Sequence, residues 1–352
     1  MPHKSFRVGI AGLGYGTAVQ VQAFKELGCE VVGIAGTSLR KAKEVAKSLQ
    51  IPHAYDQFED LFDLKLNLIS IAIPPVVGEN ALEFALNNRI PVLAEKPLAS
   101  NFEMATRLAQ IAKESDIPNA VDFQFCELNA FKEAKKLLSK GTFGKLKEVN
   151  LNWSKMNFVQ KNNIWGWKTD LKQGGGVLNL LAAHFFYILE DLTEPVKEIK
   201  AELSSKHTDE FTPAGKTAAE DTAELDVVLK SGVNVTATIS NADPKNNGHH
   251  WEFICEKGTI YLDNPSSDYM RGFNVSSDKG NTGKKKIVFE DNSSSGVDGR
   301  ILAFKDLADR FIHSIKDETS FSPDFDAGAR IQKMLDACRV SDEDCSIVTI
   351  SK

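Results

Sequence analysis

The chain has 352 residues, enough for two domains at roughly 150 residues each, which excludes fibres and short disulfide-stapled scaffolds. Hydrophobic residues make up 42% and charged residues 26%, a globular balance that excludes disordered and low-complexity polymers. Lys and Arg number 42 against 48 Asp and Glu, a formal charge of −6; no global positive field draws a phosphate backbone, so nucleic acid is not an expected partner.

The first 120 or so residues alternate short β-branched runs with helical stretches, the pattern of a parallel sheet covered on both faces. Residues 6–11 read as strand, 18–27 as helix, 30–35 as strand and 39–49 as helix. A short helix opens at 59–61, followed by strand 68–73, helix 80–88, strand 91–94, helix 102–115 and strand 119–122. Right-handed crossovers make this an open, doubly wound α/β sheet. Beyond residue 123, after a helix at 130–139, long alternating strands follow at 146–153, 196–203, 223–229, 233–240, 250–255 and 259–263. A helix at 176–192 interrupts them, and helices at 303–316 and 326–339 close the chain. The expected organisation is a dinucleotide-binding Rossmann domain over residues 1–122 and an α+β domain with a mostly antiparallel sheet over 123–352. The polar stretches 278–286 and 292–299 read as solvated connections.

Cys29, Cys126, Cys255, Cys338 and Cys345 are odd in number and form no CxxC pair, so they read as free thiols in a reducing compartment, with no metal site expected. No segment reaches the roughly 18 apolar residues of a membrane span, and the apolar run 8–11 is too short for a signal-peptide core. Cytoplasmic residence is the expectation.

Gly12-Leu13-Gly14-Tyr15-Gly16-Thr17 follows the first strand and opens the first helix, the context a dinucleotide fingerprint requires. Gly12 permits the tight turn and Gly14 the approach of backbone to a pyrophosphate. Thr17 takes the place of the third Gly or Ala, and is expected to crowd the helix slightly against the strand. Where a NAD-type fold carries a ribose-binding acid about 20 residues on, this chain has Gly36-Thr37-Ser38, with Arg40 and Lys41 behind. With no acid to repel a 2′-phosphate, NADP is the expected cofactor and NAD the alternative. The competing reading makes Arg40 and Lys41 ordinary surface charges of the following helix.

Ile73-Pro74-Pro75 follows the third of these strands, and Ala94-Glu95-Lys96-Pro97-Leu98 the fourth. With the glycine turn, with Gly174-Gly175-Gly176 running to His184, and with Glu256-Lys257-Gly258-Thr259, the chain resembles the Gfo/Idh/MocA oxidoreductases over essentially its whole length. The resemblance implies a Rossmann domain binding NAD(P), a sheet domain covering the nicotinamide, and sugars, inositols or their derivatives as substrates. It also implies a homodimer or homotetramer paired through exposed strand surface.

Lys96, past the carboxyl end of a parallel strand, is placed to polarise a reacting oxygen, with Glu95 toward the cofactor. His184 is the second catalytic candidate, because an imidazole titrates near neutral pH. The family pattern has an aspartate four residues before that histidine, where this chain has Leu180. Asn179, five residues before, stands roughly 140° around an ideal helix, so it does not replace the acid, and is expected to meet substrate instead. Trp165 and Trp167 read either as sugar-stacking faces or as core; Gln124 and Asn129 read as substrate hydrogen-bonders. His249 and His250, adjacent on a strand, point to opposite faces and read as structural. Two competing functions stand beside an NAD(P)-dependent dehydrogenase. One is a non-catalytic NAD(P) and sugar sensor; the other is a lyase, epimerase or hydrolase holding NAD tightly.

Overall fold

A computed structural model describes residues 3, 5–245, 247–266, 268, 270–280, 282–292, 296 and 298–351. The chain divides into two units, Met1–Gln124 with Val297–Gln332, and Phe125–Gly296 with Lys333–Lys352. In chain order the α-helices are α1 (Val21–Glu26), α2 (Leu39–Leu49), α3 (Pro75–Asn87), α4 (Phe102–Glu114), α5 (Asn129–Ser139), α6 (Phe158–Lys161), α7 (Ala183–Leu192), α8 (Lys206–Asp209), α9 (Gly299–Asp317) and α10 (Phe325–Asp344).

In the first unit β1 (Arg7–Ala11), β2 (Glu30–Ala35), β3 (His53–Tyr55), β4 (Leu68–Ile71), β5 (Val92–Ala94) and β6 (Asn119–Val121) form one parallel sheet in the order β3-β2-β1-β4-β5-β6. This is the doubly wound order, which gathers the carboxyl ends of the strands along one ligand-binding edge. Strand β3 escapes the sequence reading because three residues, none of them fully buried, leave no apolar run. Local chemistry sets the helix starts: Ser38 caps α2 by accepting from Lys41 N, and Asn101 caps α4 by accepting from Met104 N. Pro75 opens α3, where its fixed φ suits the first turn and its missing N–H costs no bond.

The first unit's core contains Val8, Ile10, Val19, Phe24, Ile34 and Leu68 together with Phe304, Leu307, Phe311 and Ile312 of α9. Phe24 and Phe304 meet edge to face at 5.4 Å. That packing sets α9 with the first unit. A single cut after residue 122 leaves α9 with the second domain, whereas its apolar stripe is buried on the first unit's sheet, and Val297–Gln332 groups there.

The second unit carries β7 (Leu146–Ser154), β8 (Val196–Ser204), β9 (Thr222–Leu229), β10 (Asn234–Ser240), β11 (Gly248–Cys255), β12 (Gly258–Asn264), β13 (Asn274–Lys279), β14 (Lys286–Glu290) and β15 (Val348–Thr349). They form one sheet ordered β14-β13-β12-β11-β7-β10-β9-β8-β15, in which β7 and β10 are parallel and the other pairs antiparallel. The six long strands stand where alternation places them. Strands β13 and β14 flank the connection expected at 278–286 and overlap it only at Asp278, Lys279 and Lys286: polar Asn274–Lys279 hides its strand character, and buried Asp278 closes the hairpin by accepting from Thr282 N, Thr282 Oγ1 and Gly283 N. Residue 281 of that stretch, and residues 293–295 and 297 of the other expected connection, lie outside the described residues. The five cysteines are free thiols. Among the described residues no helix is long and apolar enough to cross a membrane.

Candidate active site

Gly12, directly after β1, has φ +126°, and a Cβ there would stand 2.2 Å from Ala72 O, so only glycine fits the turn. Gly14 is the opposite case: a Cβ on it would meet nothing within 4 Å. Its backbone borders open space at the sheet's carboxyl edge, the room a pyrophosphate needs. The close helix-to-strand approach falls on Gly16, whose Cβ would lie 2.8 Å from Ile10 Cγ2. Thr17 therefore does not crowd the strand as expected. The chain enters α1 through a widened turn, Gly16–Gln20, and the Thr17 hydroxyl donates to Leu13 O at 2.7 Å. The residues of the glycine turn thus fit a dinucleotide.

Ile73 and Pro74 lead from β4 into α3, where Gly78 N donates to Pro74 O. Between β2 and α2, Thr37 is exposed and Ser38 acts as the helix cap. Arg40 is exposed and paired with Glu44 one turn along its own helix at 2.9 Å. The turn Gly36-Thr37-Ser38 after β2 thus carries no acid, and Arg40 occupies the position of a surface helix charge.

At the end of β5 the parallel register pairs Ala94 with Val121. The next rung therefore sets Glu95 beside Asp122, with Asp122 N donating to Ala94 O at 2.8 Å and Glu95 N to Ile71 O at 2.9 Å. Around this rung, Ser70 Oγ donates to Gln20 Oε1 at 2.9 Å and Gln20 Nε2 to Glu95 Oε1 at 3.2 Å. Gln124 Nε2 donates to the Tyr15 hydroxyl at 2.5 Å. Burial raises the Glu95 carboxyl well above the usual range, the Asp122 charge adds to the shift, and Lys96 opposes it. Burial pushes Asp122 up to about 6 against the pull of Glu95, Tyr15 and Lys96. Tyr15 is raised by burial and by the two acids; Arg300 faces its ring at 5.6 Å. Lys96, Glu95, Tyr15 and Gln124 are thus brought to one locality. Gln124 is buried and engaged with Tyr15, however, which places it among the supports rather than on an open surface. Asn129 is exposed at the start of α5. Sequence reading missed Gln20, Ser70 and above all Asp122; an acid one step past a parallel strand was the available signal.

In the second unit Gly175 answers to backbone crowding and Gly176 to a buried side chain. A Cβ on Gly175 would lie 2.5 Å from Trp167 O, and one on Gly176, at φ +103°, 2.3 Å from Glu220 Oε1. Residues Leu178–Ala182 then form a widened turn before α7, with Ala183 N–H bonded to Leu178 O. Such a turn inserts one residue into the helical register. It cancels the angular offset expected for Asn179, which takes the turn-below relation to His184 that an unbroken helix would give Leu180. Asn179 Nδ2 donates to Gly174 O, and Asn179 Oδ1 accepts from Arg339 Nη2, both at 3.0 Å. Arg339 also reaches Glu220 at 3.5 Å, whose carboxyl is raised by burial. Asn179 is thereby tied into a buried polar support instead of lying open to substrate as expected.

His184 is buried, its ring edge-on to Phe125 at 4.8 Å, and Phe125 packs on Trp153 at 5.3 Å. His249 stacks on Trp153 at 3.9 Å and accepts from Trp251 Nε1 at 2.8 Å; burial holds its pKa well below the usual value. His250 is on the other face, bonded to Asp263 at 2.9 Å, as strand alternation requires. Trp165 and Trp167 are half-buried, with Lys168 Nζ 5.7 Å from the Trp167 ring, so neither is a fully buried core residue. Among the described residues His3, Asp309 and His313 bring metal-ligand atoms within 4.8 Å of one another. Both nitrogens of His3 are already engaged there, with Lys316 Nζ at 2.6 Å and Asp309 Oδ1 at 2.7 Å.

Comparison with known proteins adds to this geometry. The profile described as "Oxidoreductase family, NAD-binding Rossmann fold" matches residues 6–123, and the "GFO/IDH/MocA C-terminal domain" profile matches residues 131–261. An uncharacterized oxidoreductase of Synechocystis is 27% identical over 94% of this chain and 92% of its own length. The D-xylose dehydrogenase of Paenarthrobacter nicotinovorans is 22% identical over 57% of this chain and 50% of its own. A levoglucosan dehydrogenase solved in complex with NADH and levoglucosan superposes with a TM-score of 0.87, covering 99% of this chain and 100% of that one, at 18% identity. At that identity the likeness is one of fold.

Proposed function

Because the chain belongs to the GFO/IDH/MocA family of NAD-binding oxidoreductases, we propose that it moves a hydride between a nicotinamide and a carbinol or carbonyl carbon of a small polyhydroxylated molecule. A sugar, an inositol or a sugar derivative is the substrate class. The observation that carries the reading is the placement of Lys96 two residues past the rung where β5 and β6 end, on the sheet edge that also carries the open Gly14 turn.

Gly12, Gly14, Gly16 and Thr17 hold the pyrophosphate side of the dinucleotide, Tyr15, Glu95 and Ile73-Pro74-Pro75 border it, and Thr37, Ser38 and Arg40 stand at its ribose end. The absence of an acid there supports NADP, with NAD as the alternative. The bound dinucleotide supplies the hydride acceptor or donor. Lys96 orients the substrate oxygen and stabilises the negative charge that grows on it as the carbon changes oxidation state. His184 assists proton transfer. Trp165 and Trp167, half-buried beside the triple glycine, offer flat apolar faces to a sugar ring. Asn179 acts at substrate through the loop that it holds. The strands β9 and β10 bury one face and expose the other, which supports assembly of copies into a homodimer or homotetramer.

The test is nicotinamide absorbance on mixing purified protein with oxidised NAD or NADP and a panel of sugars and inositols. Turnover with at least one polyol, lowered about 1000-fold in Lys96→Met, is the expected result. A polyol that binds without any absorbance change favours the sensor reading, which Leu180 supports. Dinucleotide that stays bound through purification and never exchanges favours the closed redox cycle of a lyase or epimerase.

A further inference from the structure

Asp122 is fully buried, and its carboxylate oxygens have no donor at good hydrogen-bonding geometry, the Tyr15 hydroxyl and Gln124 N–H standing near enough only to favour its charge weakly. Such a group is costly to hold as an isolated charge. Its neighbour on the adjoining strand is Glu95, a second carboxyl, fixed by the backbone bonds of Glu95 N to Ile71 O and Asp122 N to Ala94 O. Two ionised carboxylates have only acceptors to offer each other; the contact becomes a hydrogen bond once one of them carries a proton. Glu95 Oε1 is also occupied by Gln20 Nε2, a donor that favours negative charge on that oxygen.

We propose that Glu95 and Asp122 share a single proton, and that this pair is the proton store serving Lys96, with Asp122 as a positioning residue that acts through its two neighbours. The charged and titratable groups facing the pair are Tyr15 from the glycine turn, Lys96 from the end of β5 and, over the Tyr15 ring, Arg300 from α9. One negative charge on the pair balances the ammonium of Lys96. In the oxidative direction Lys96 relays: one of its N–H bonds breaks as an O–H bond forms on the ionised member of the pair, and the substrate O–H breaks as the N–H is restored. The C–H electron pair leaves as hydride to the oxidised dinucleotide. The pair, now neutral, returns its extra proton to solvent. Burial raises both acids, in keeping with a proton retained near neutral pH.

The relay rests on the hydride-transfer reading above, but the shared proton does not, so two measurements separate them. Infrared spectra of the full-length protein without cofactor, at neutral pH, are expected to show a protonated-carboxyl band that disappears in Asp122→Asn and again in Glu95→Gln. Wild-type protein lacking the band, or a band that persists in Asp122→Asn because burial alone protonates Glu95, overturns the pairing. With an active polyol, Asp122→Asn is expected to lower kcat about 100-fold, to leave the cofactor KM within about twofold, and to remove the acid limb of the kcat profile, while Asp122→Glu restores that limb. An unchanged profile in Asp122→Asn, with the band lost, overturns the relay and leaves the shared proton standing. Should Asp122→Asn fail to fold, Glu95→Gln carries both readouts.

Discussion

In the first unit the candidate residues stand along one parallel edge, where short backbone bonds fix Glu95 and Asp122, with Lys96 next in the chain, and a polar chain through Gln20 and Ser70 backs Glu95. In the second, His184 follows a widened turn and lies against Phe125, in a wall that continues to Trp153 and His249. The same problem, holding an ionisable group still, is solved by a hydrogen-bonded network in one unit and by aromatic packing in the other. A network of charges can store and pass a proton, whereas an aromatic wall chiefly fixes a ring and excludes water. On this account Lys96 carries more of the chemistry than His184.

The largest expected effect follows directly. Lys96→Met lowers kcat/KM about 1000-fold and His184→Gln only about 10- to 100-fold, both with unchanged far-UV spectra; steady-state kinetics on an active polyol decide it, and the reverse ranking breaks the comparison. Gly12→Ala forces a Cβ against Ala72 O and is expected to lower unfolding free energy by about 3 kcal/mol, read from urea melts, with loss of dinucleotide binding. In the second unit Arg339→Met leaves Glu220 buried beside no cation, an effect of about 2–3 kcal/mol once the partial exposure of Arg339 is allowed for; urea melts measure it, and refolded protein should lose catalytic rate because Asn179 and the triple glycine shift.

A smaller effect concerns pH. The Asp122 carboxyl is raised from 3.8 to about 6 in the folded chain, so the folded state binds its proton more tightly than the unfolded state. The stability it confers is present below about 3.8 and is lost as pH rises through about 6. Asp122→Asn should therefore flatten the stability profile across that window. Equal pH slopes for both proteins in thermal melts would contradict the assignment. Smallest of all, Arg40→Ala should weaken NADP binding about tenfold and leave NAD binding alone, since its pairing with exposed Glu44 is worth only about 0.3–0.5 kcal/mol.

Much of this was legible beforehand because it is written in local rules. Gly12 and Gly14 sit between a strand and a helix, and period-two alternation marks the six long strands of the second unit. Residues 53–55 and 274–279 escaped because short or polar strands lack an apolar signature, and are held by the neighbours they pair with. The place of α9 was hidden for a related reason: its apolar stripe is visible, but not which core it fills. Asp122 and Glu220 were missed because their significance lies in partners 27 residues or more away in sequence, Glu95 for the one and Arg339 for the other. The widened turns at Gly16–Gln20 and Leu178–Ala182 have no composition signal, and they changed the reading of Thr17 and Asn179.

The central claim is that Lys96 stands at the reacting oxygen of a carbinol that gives up hydride. Its most direct test is to incubate the protein with oxidised dinucleotide and an active polyol deuterated at the carbinol carbon, then look for deuterium in the nicotinamide ring by mass spectrometry. The account predicts label in the wild type and a rate of labelling about 1000-fold lower in Lys96→Met. Equal labelling in both proteins, or none in either while the polyol is bound, would contradict it.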